Sequence, residues 1–205
     1  MFRLSRTSVI AWTAVVAVIA ALSYALTVVA VPRAAAEDKA KAAPVEFTAD
    51  GKLKQPVDYR KWVYVGEVVT PNDMNDGEAT FPEFHSVYMD PESFAEYEKT
   101  GKFRDGTVLI KELSSVGSKE AASGKGYFQG EFTGLEATIK DSKRFKDEPG
   151  YWAYFSFGHK YPLKAEVAKG AVASCNQCHE QNAKKTDWIF SQHYPVLRAA
   201  APKSK

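Results

Sequence analysis

The stretch Cys175-Asn176-Gln177-Cys178-His179 constrains this chain more than any other. It reads C-x-x-C-H, a spacing at which two thiols can each add to one vinyl group of a single porphyrin. The histidine that follows is then held against the iron as its proximal ligand. No further cysteine occurs in the 205 residues. Three competing readings exist. Zinc would need two more ligands from scattered histidines, a thioredoxin-like redox pair would need a βαβ context that the sequence lacks, and a small disulfide needs nothing else. The expectation is haem c, iron protoporphyrin bound covalently through Cys175 and Cys178, with His179 as the axial ligand of the metal.

The amino terminus supports that expectation. Arg3 and Arg6 precede an apolar run, Val9 to Val31, broken by Thr13, Ser23 and Thr27, and Ala34-Ala35-Ala36 supplies a small-residue cleavage pattern. Residues 1–36 therefore read as an export signal that places the body of the protein in the periplasm, where c-type haem is attached. At ~20 residues an apolar run can also span a bilayer, so a retained membrane anchor over residues 9–31 is the alternative to cleavage. Removing residues 1–36 takes Arg3, Arg6 and Arg33 with it and leaves 24 basic against 25 acidic side chains. That balance gives a nucleic acid or an anionic membrane no electrostatic purchase.

Residues 37–56 are polar and rich in Ala and Lys, and read as a flexible lead-in. Residues 57–205 are long enough for one domain with a core around a haem. Trp62–Val69, Phe84–Met89, Thr107–Leu113 and Trp152–Phe157 read as strands. Tyr127–Phe132 and Leu135–Lys140 read as a hairpin about Thr133-Gly134, and Val116–Lys125 as a loop. Asp90-Pro91 is a helix start, with an Asp N-cap and proline at the first helical position, and Gly101 is its stop. Ala165–Ala173 and Asp187–Arg198 have helical texture. Consecutive strands joined by short turns imply α+β architecture, a predominantly antiparallel β-sheet packed with helices, with a C-terminal haem-binding helical segment.

Only 26 residues follow His179 and none is methionine, so the methionine ligand of a small electron carrier is missing. His85, His159 and His193 are each candidates for the sixth iron position. The expectation is an open distal side, which suits ligand chemistry rather than simple electron relay. Period two places Leu109, Lys111 and Leu113 on one strand face. Lys111 is then either an edge-strand lysine that blocks aggregation or a lysine aimed at the haem.

From Tyr59-Arg60-Lys61-Trp62 to Tyr194–Ala200 the chain resembles the cytochrome P-460 family. The matching stretches include Val69-Thr70-Pro71-Asn72, Asp90-Pro91-Glu92-Ser93, Phe103–Val108, Lys111-Glu112-Leu113, Gly126-Tyr127-Phe128, Gly134-Leu135-Glu136-Ala137 and the haem motif. The resemblance implies a periplasmic hydroxylamine oxidoreductase yielding nitrous oxide or nitric oxide. It further implies that Lys111 is joined covalently to a porphyrin meso carbon, that Glu136 handles protons on the distal face, that a soluble cytochrome c takes the electrons, and that the protein is a homodimer. Alternation alone reads Glu136 as a surface residue, because Thr138 and Lys140 share its face. An exported cytochrome c′-β-like protein, binding nitric oxide or carbon monoxide without turnover, and an electron-transfer cytochrome c are the alternatives.

Overall fold

Runs of β-branched and aromatic residues in this chain pair into one antiparallel sheet whose two faces are both covered. The computed structural model describes residues 43–170 and 175–203; the expected export signal, residues 1–36, lies outside the described residues. Five strands make the sheet: β2 (Val63–Val69), β3 (Phe84–Met89), β4 (Val108–Val116), β7 (Gln129–Lys140) and β8 (Trp152–Gly158), in the order β2-β3-β4-β7-β8. Two small ribbons accompany it. Strand β1 (Leu53–Lys54) pairs with β9 (Glu166–Val167), and β5 (Glu120–Ala121) pairs with β6 (Gly124–Lys125) inside the expected 116–125 loop. The α+β, mainly antiparallel architecture expected from the sequence is the one observed.

Because residues directly opposite one another across antiparallel strands share a face, the register sorts the sheet into two sides. Val87, Lys111, Glu136 and Ser156 form one row, and Met89, Leu109, Thr138 and Tyr154 the next row on the same side. This side packs against helices α1 (Pro91–Thr100), α2 (Cys175–Ala183) and α3 (Pro195–Ala200), through a cluster that includes Met89, Tyr97, Leu109, Trp152, Tyr154, Ile189 and Leu197. The other side carries Val108, Ile110, Leu135, Ala137, Ile139, Phe155 and Phe157, covered by Leu53, Tyr59, Phe145 and Val167.

Four sequence expectations need correction. Thr133-Gly134 is no turn: β7 runs unbroken for 12 residues, and Gly134 is there because the neighbouring chain passes too close for a side chain. Residues 43–56 of the expected lead-in are packed, with Leu53 fully buried and the Phe47 ring edge-on to Phe155 at 6.0 Å. The described part of Ala165–Ala173 holds strand β9 instead of a helix. The final helix is limited to Pro195–Ala200: Asp187 and Trp188 adopt left-handed backbone that a helix cannot contain, Ser191–His193 form a separate 3-10 turn, and Tyr194 is extended. Among the described residues no helix is long and apolar enough to cross a membrane.

The helix start at Asp90 ties α1 to the sheet. Its buried carboxylate accepts from the Ser93 backbone N–H at 2.9 Å as an N-cap, and from the Val108 N–H at 2.9 Å with its other oxygen. Arg104 lies 3.6 Å away. Asp90→Ala would remove the cap and strand a buried β4 amide. The expected loss is about 3 kcal/mol of unfolding free energy, read from the urea midpoint; a loss below about 1 kcal/mol would show that the carboxylate does not couple helix to sheet.

Candidate haem site

The haem motif opens α2, with Cys175 half-buried against the helix-covered core and Cys178 exposed one turn on. Asn176, between them, is buried and fixes the helix by donating its side-chain amide to the Trp152 carbonyl at 3.0 Å and to Glu148 Oε2 at 3.1 Å. Lys169 is ion-paired to the same Glu148.

His179 lies against the Tyr154 ring at 4.5 Å and the Phe190 ring at 4.8 Å. Its Nδ1 is 2.6 Å from the Trp188 carbonyl. A carbonyl can only accept, so Nδ1 carries the hydrogen and Nε2 keeps its lone pair for a metal. Burial pushes the imidazole pKa down, which favours the neutral, ligating form, while the carbonyl contact works the other way. The carbonyl is aimed by the left-handed pair Asp187 (φ 54°) and Trp188 (φ 60°). Such backbone costs of order 1–3 kcal/mol per residue and persists only where surroundings hold it. Here Asp187 is held by Lys140 Nζ at 2.5 Å, and the Trp188 ring lies on Gly150, where any Cβ would collide with it.

Across from this helix stands the row containing Lys111 and Glu136. Lys111 sits on β4, the central strand, so it is not an edge lysine. Its ammonium is 2.5 Å from Glu136 Oε2 and 4.7 Å from the Phe81 ring centre. Glu136 is only 16% exposed, which overturns the surface reading; Thr138 and Lys140 on its face are half-buried as well. The other carboxylate oxygen, Oε1, is 3.2 Å from His159 Nε2. His85, buried on β3, packs edge-on to Phe81 at 5.8 Å, and its Nε2 has no hydrogen-bond partner among the described residues. His193 instead stacks on Phe190 at 6.1 Å.

The site residues expected from sequence therefore converge on one side of the sheet, with Cys175, Cys178 and His179 on the helix and Lys111 and Glu136 on the strands. Asn176, Trp188 and Phe81 were missed as contributors, and His159, a candidate sixth iron ligand from the sequence, instead contacts the Glu136 carboxylate. Only the position of Asn176 inside the motif could have flagged it. The donor set fits a haem: an imidazole with its outer nitrogen committed and its inner one free, two adjacent thiols, and an aromatic and aliphatic wall.

Burial, then the nearby Lys111 charge, lowers the His85 pKa from 6.5 to about 4, with Glu136 opposing and His159 reinforcing the shift. Between those values the unfolded chain binds a proton that the native chain refuses. Stability is therefore complete above pH 6.5 and falls as the pH drops toward 4, by up to about 3 kcal/mol from this residue. Urea midpoints of the wild type and His85→Phe across that window should show a shallower acid decline in the variant; equal slopes would place the acid sensitivity elsewhere.

The family comparison agrees with this geometry. A model of the Cytochrome P460 family matches residues 56–191, which include Lys111, Glu136 and the whole Cys175–His179 motif. No curated protein matches the chain. With more than half its length covered, the chain belongs to the cytochrome P460 family and is a haem protein.

Proposed function

We propose that this protein is a periplasmic hydroxylamine oxidoreductase whose haem is attached through Cys175 and Cys178, ligated by His179 and joined to Lys111. The observation that carries the reading is the half-buried Glu136 carboxylate, held between Lys111 at 2.5 Å and His159 at 3.2 Å on the side of the sheet that meets the His179 helix. When bound, the haem supplies an iron centre that takes hydroxylamine through nitrogen and accepts its electrons.

The side chains supply the remaining functions. Oxidising hydroxylamine releases protons along with electrons, and a carboxylate within hydrogen-bond reach is a fit base for them. Glu136 has that role. Its position is fixed by pairing with Lys111 across the β4–β7 ladder. Val87, Met89 and Leu109 give the surroundings an apolar wall that limits water and strengthens each polar contact inside. Lys111, joined to the macrocycle, would hold it in place, one means by which a protein tunes a haem. Nitrous oxide or nitric oxide is the product, a soluble cytochrome c the electron acceptor, and the protein works as a homodimer after export.

Absorption spectra of the purified holoprotein before and after hydroxylamine test the reading, with turnover followed by reduction of a soluble cytochrome c. Lys111→Ala should convert the visible spectrum to that of a plain c-type haem, and the intact mass should reveal the extra bond in the wild type alone. Glu136→Gln should slow turnover by about 100-fold while haem attachment stays complete. A wild-type protein that binds nitric oxide but leaves hydroxylamine untouched would make this a gas-binding member of the fold.

A further inference from the structure

The Glu136 carboxylate has two oxygens, and two side chains reach them among the described residues. Lys111 occupies Oε2, and His159 occupies Oε1. Their chemistry differs. A free ammonium donates hydrogens and has no lone pair, and a Lys111 nitrogen joined to the porphyrin would have its lone pair drawn into the macrocycle, so in neither form does Lys111 relieve Glu136 of a proton. An imidazole can both take and release one near neutrality. Exposure differs too: Lys111 is 26% and Glu136 16% exposed, whereas His159 is 44% exposed. Of the groups touching the carboxylate, only His159 both accepts protons and opens to water.

His159 reaches this position through an irregularity in the sheet. Glu136 pairs with Ser156, so regular pairing would set Leu135 opposite Phe157, Gly134 opposite Gly158 and Thr133 opposite His159. Instead Leu135 pairs with Gly158, leaving Phe157 as an extra residue. The bulge moves His159 on by one place, from the Thr133 side of the sheet to the side of Gly134 and Glu136. Gly134 makes room for it. A Cβ there would lie 2.6 Å from the Gly158 carbonyl oxygen and 3.1 Å from His159 Cα. Bulge and glycine together turn a residue just past the end of β8 onto the Glu136 carboxylate.

From this geometry we propose that His159 is the proton exit of the site, receiving from Glu136 each proton that the carboxylate collects and delivering it to bulk water. The proposal rests on Glu136 being the base of the reading above. The step moves a proton and no electrons. A substrate N–H or O–H bond breaks and its proton goes to the Glu136 carboxylate; the carboxylic acid passes it to the lone pair of His159 Nε2. The imidazolium gives a proton to water, and the half-exposed ring returns to its starting tautomer through solvent. His85 and Lys111 also bear on this carboxylate electrostatically, but His85 is 8% exposed and faces inward, so it offers no path out.

The test compares the wild-type holoprotein with His159→Ala, His159→Gln and Glu136→Gln. Two readouts are used: hydroxylamine turnover and the association rate of hydrogen cyanide with the ferric protein, since cyanide must also lose a proton as it binds but needs no oxidation. Both rates should fall about 10-fold in the two His159 variants with the haem spectrum unchanged. Added 2,6-disubstituted pyridines, too hindered at nitrogen to ligate the iron, should restore them in His159→Ala, more so the more basic the pyridine, and should do nothing for Glu136→Gln. His159→Gln keeps a hydrogen-bond donor for Glu136, so wild-type rates in that variant, or an absence of rescue by these bases, would reduce His159 to a structural contact and overturn the proposal. If the wild type leaves hydroxylamine unoxidised while cyanide association still follows His159, the exit stands and the enzymatic reading falls. If hydroxylamine is oxidised and neither rate responds to His159, the reverse holds.

Discussion

A lysine and a glutamate face each other across the middle of a five-stranded sheet, and the rest of the molecule is consistent with that contact and with little else. Lys111 is directly opposite Glu136 in the β4–β7 register. A slip of β4 by one residue would turn Lys111 to the side packed with Ile110, Leu135 and Ala137 and leave Glu136 without its partner. The register is pinned from that side as well. Glu112, the next residue along, points the opposite way and accepts from Tyr59 Oη at 2.5 Å and from the Arg60 guanidinium. Two consecutive charges, each with its own partner on its own face, mean that the fold cannot misalign β4 without leaving buried charge unpaired, a penalty of several kcal/mol. The site and the sheet are specified by the same interaction.

That double duty explains what could be read from the sequence. Elements whose signals are local were legible: strand β3 spans the expected Phe84–Met89, and Asp90-Pro91 and Gly101 bound a helix as their chemistry requires. The C-x-x-C-H motif stood out for the same reason, since its signal lies in the spacing of adjacent residues, and it opens a helix. Lys111 stood out as a charge between two leucines, but alternation could not tell an edge strand from a central one. Strand order is set by long-range pairing, and it makes β4 central. Glu136 looked solvated because Thr138 and Lys140 look solvated. In the fold Lys140 reaches Asp187 and the face is half-covered by the C-terminal segment. Thr133-Gly134 looked like a turn because glycine in a strand pattern signals a break or a close approach, and here it was the close approach.

The two sides of the site are built by different means. The side of His179 is made from nearby chain: a helix of nine residues, a loop in left-handed conformation and a carbonyl only nine residues beyond the histidine. Strain in Asp187 and Trp188 is tolerated because Lys140, Trp152 and Gly150 hold them from the sheet. The side of Lys111, Glu136, His85 and His159 draws on four strands and depends on register, a bulge and a missing Cβ. Sequence patterns report the first kind of construction well and the second kind poorly, which is why the Cys175–His179 motif was evident and the contact of His159 with Glu136 was not.

Strand β8 joins the two constructions. Its Trp152 carbonyl receives Asn176 of the haem-motif helix, two residues on Tyr154 lies against the His179 ring, and two further Ser156 stands opposite Glu136. Past Gly158 the chain turns His159 onto the same carboxylate. At about 3.3 Å per residue, the six steps from Trp152 to Gly158 span roughly 20 Å. Alternate residues of one strand thus rank the parts of the site in order, from the anchor of the haem-motif helix to the group that faces solvent. The separation between His179 and Glu136 is therefore set by the pairing of β8 with β7 together with the Asn176 and Tyr154 side-chain contacts that dock the helix on β8. Loosening the side chains around it would change how well the site is sealed, whereas moving the bulge between Leu135 and Gly158 would change which residue closes it.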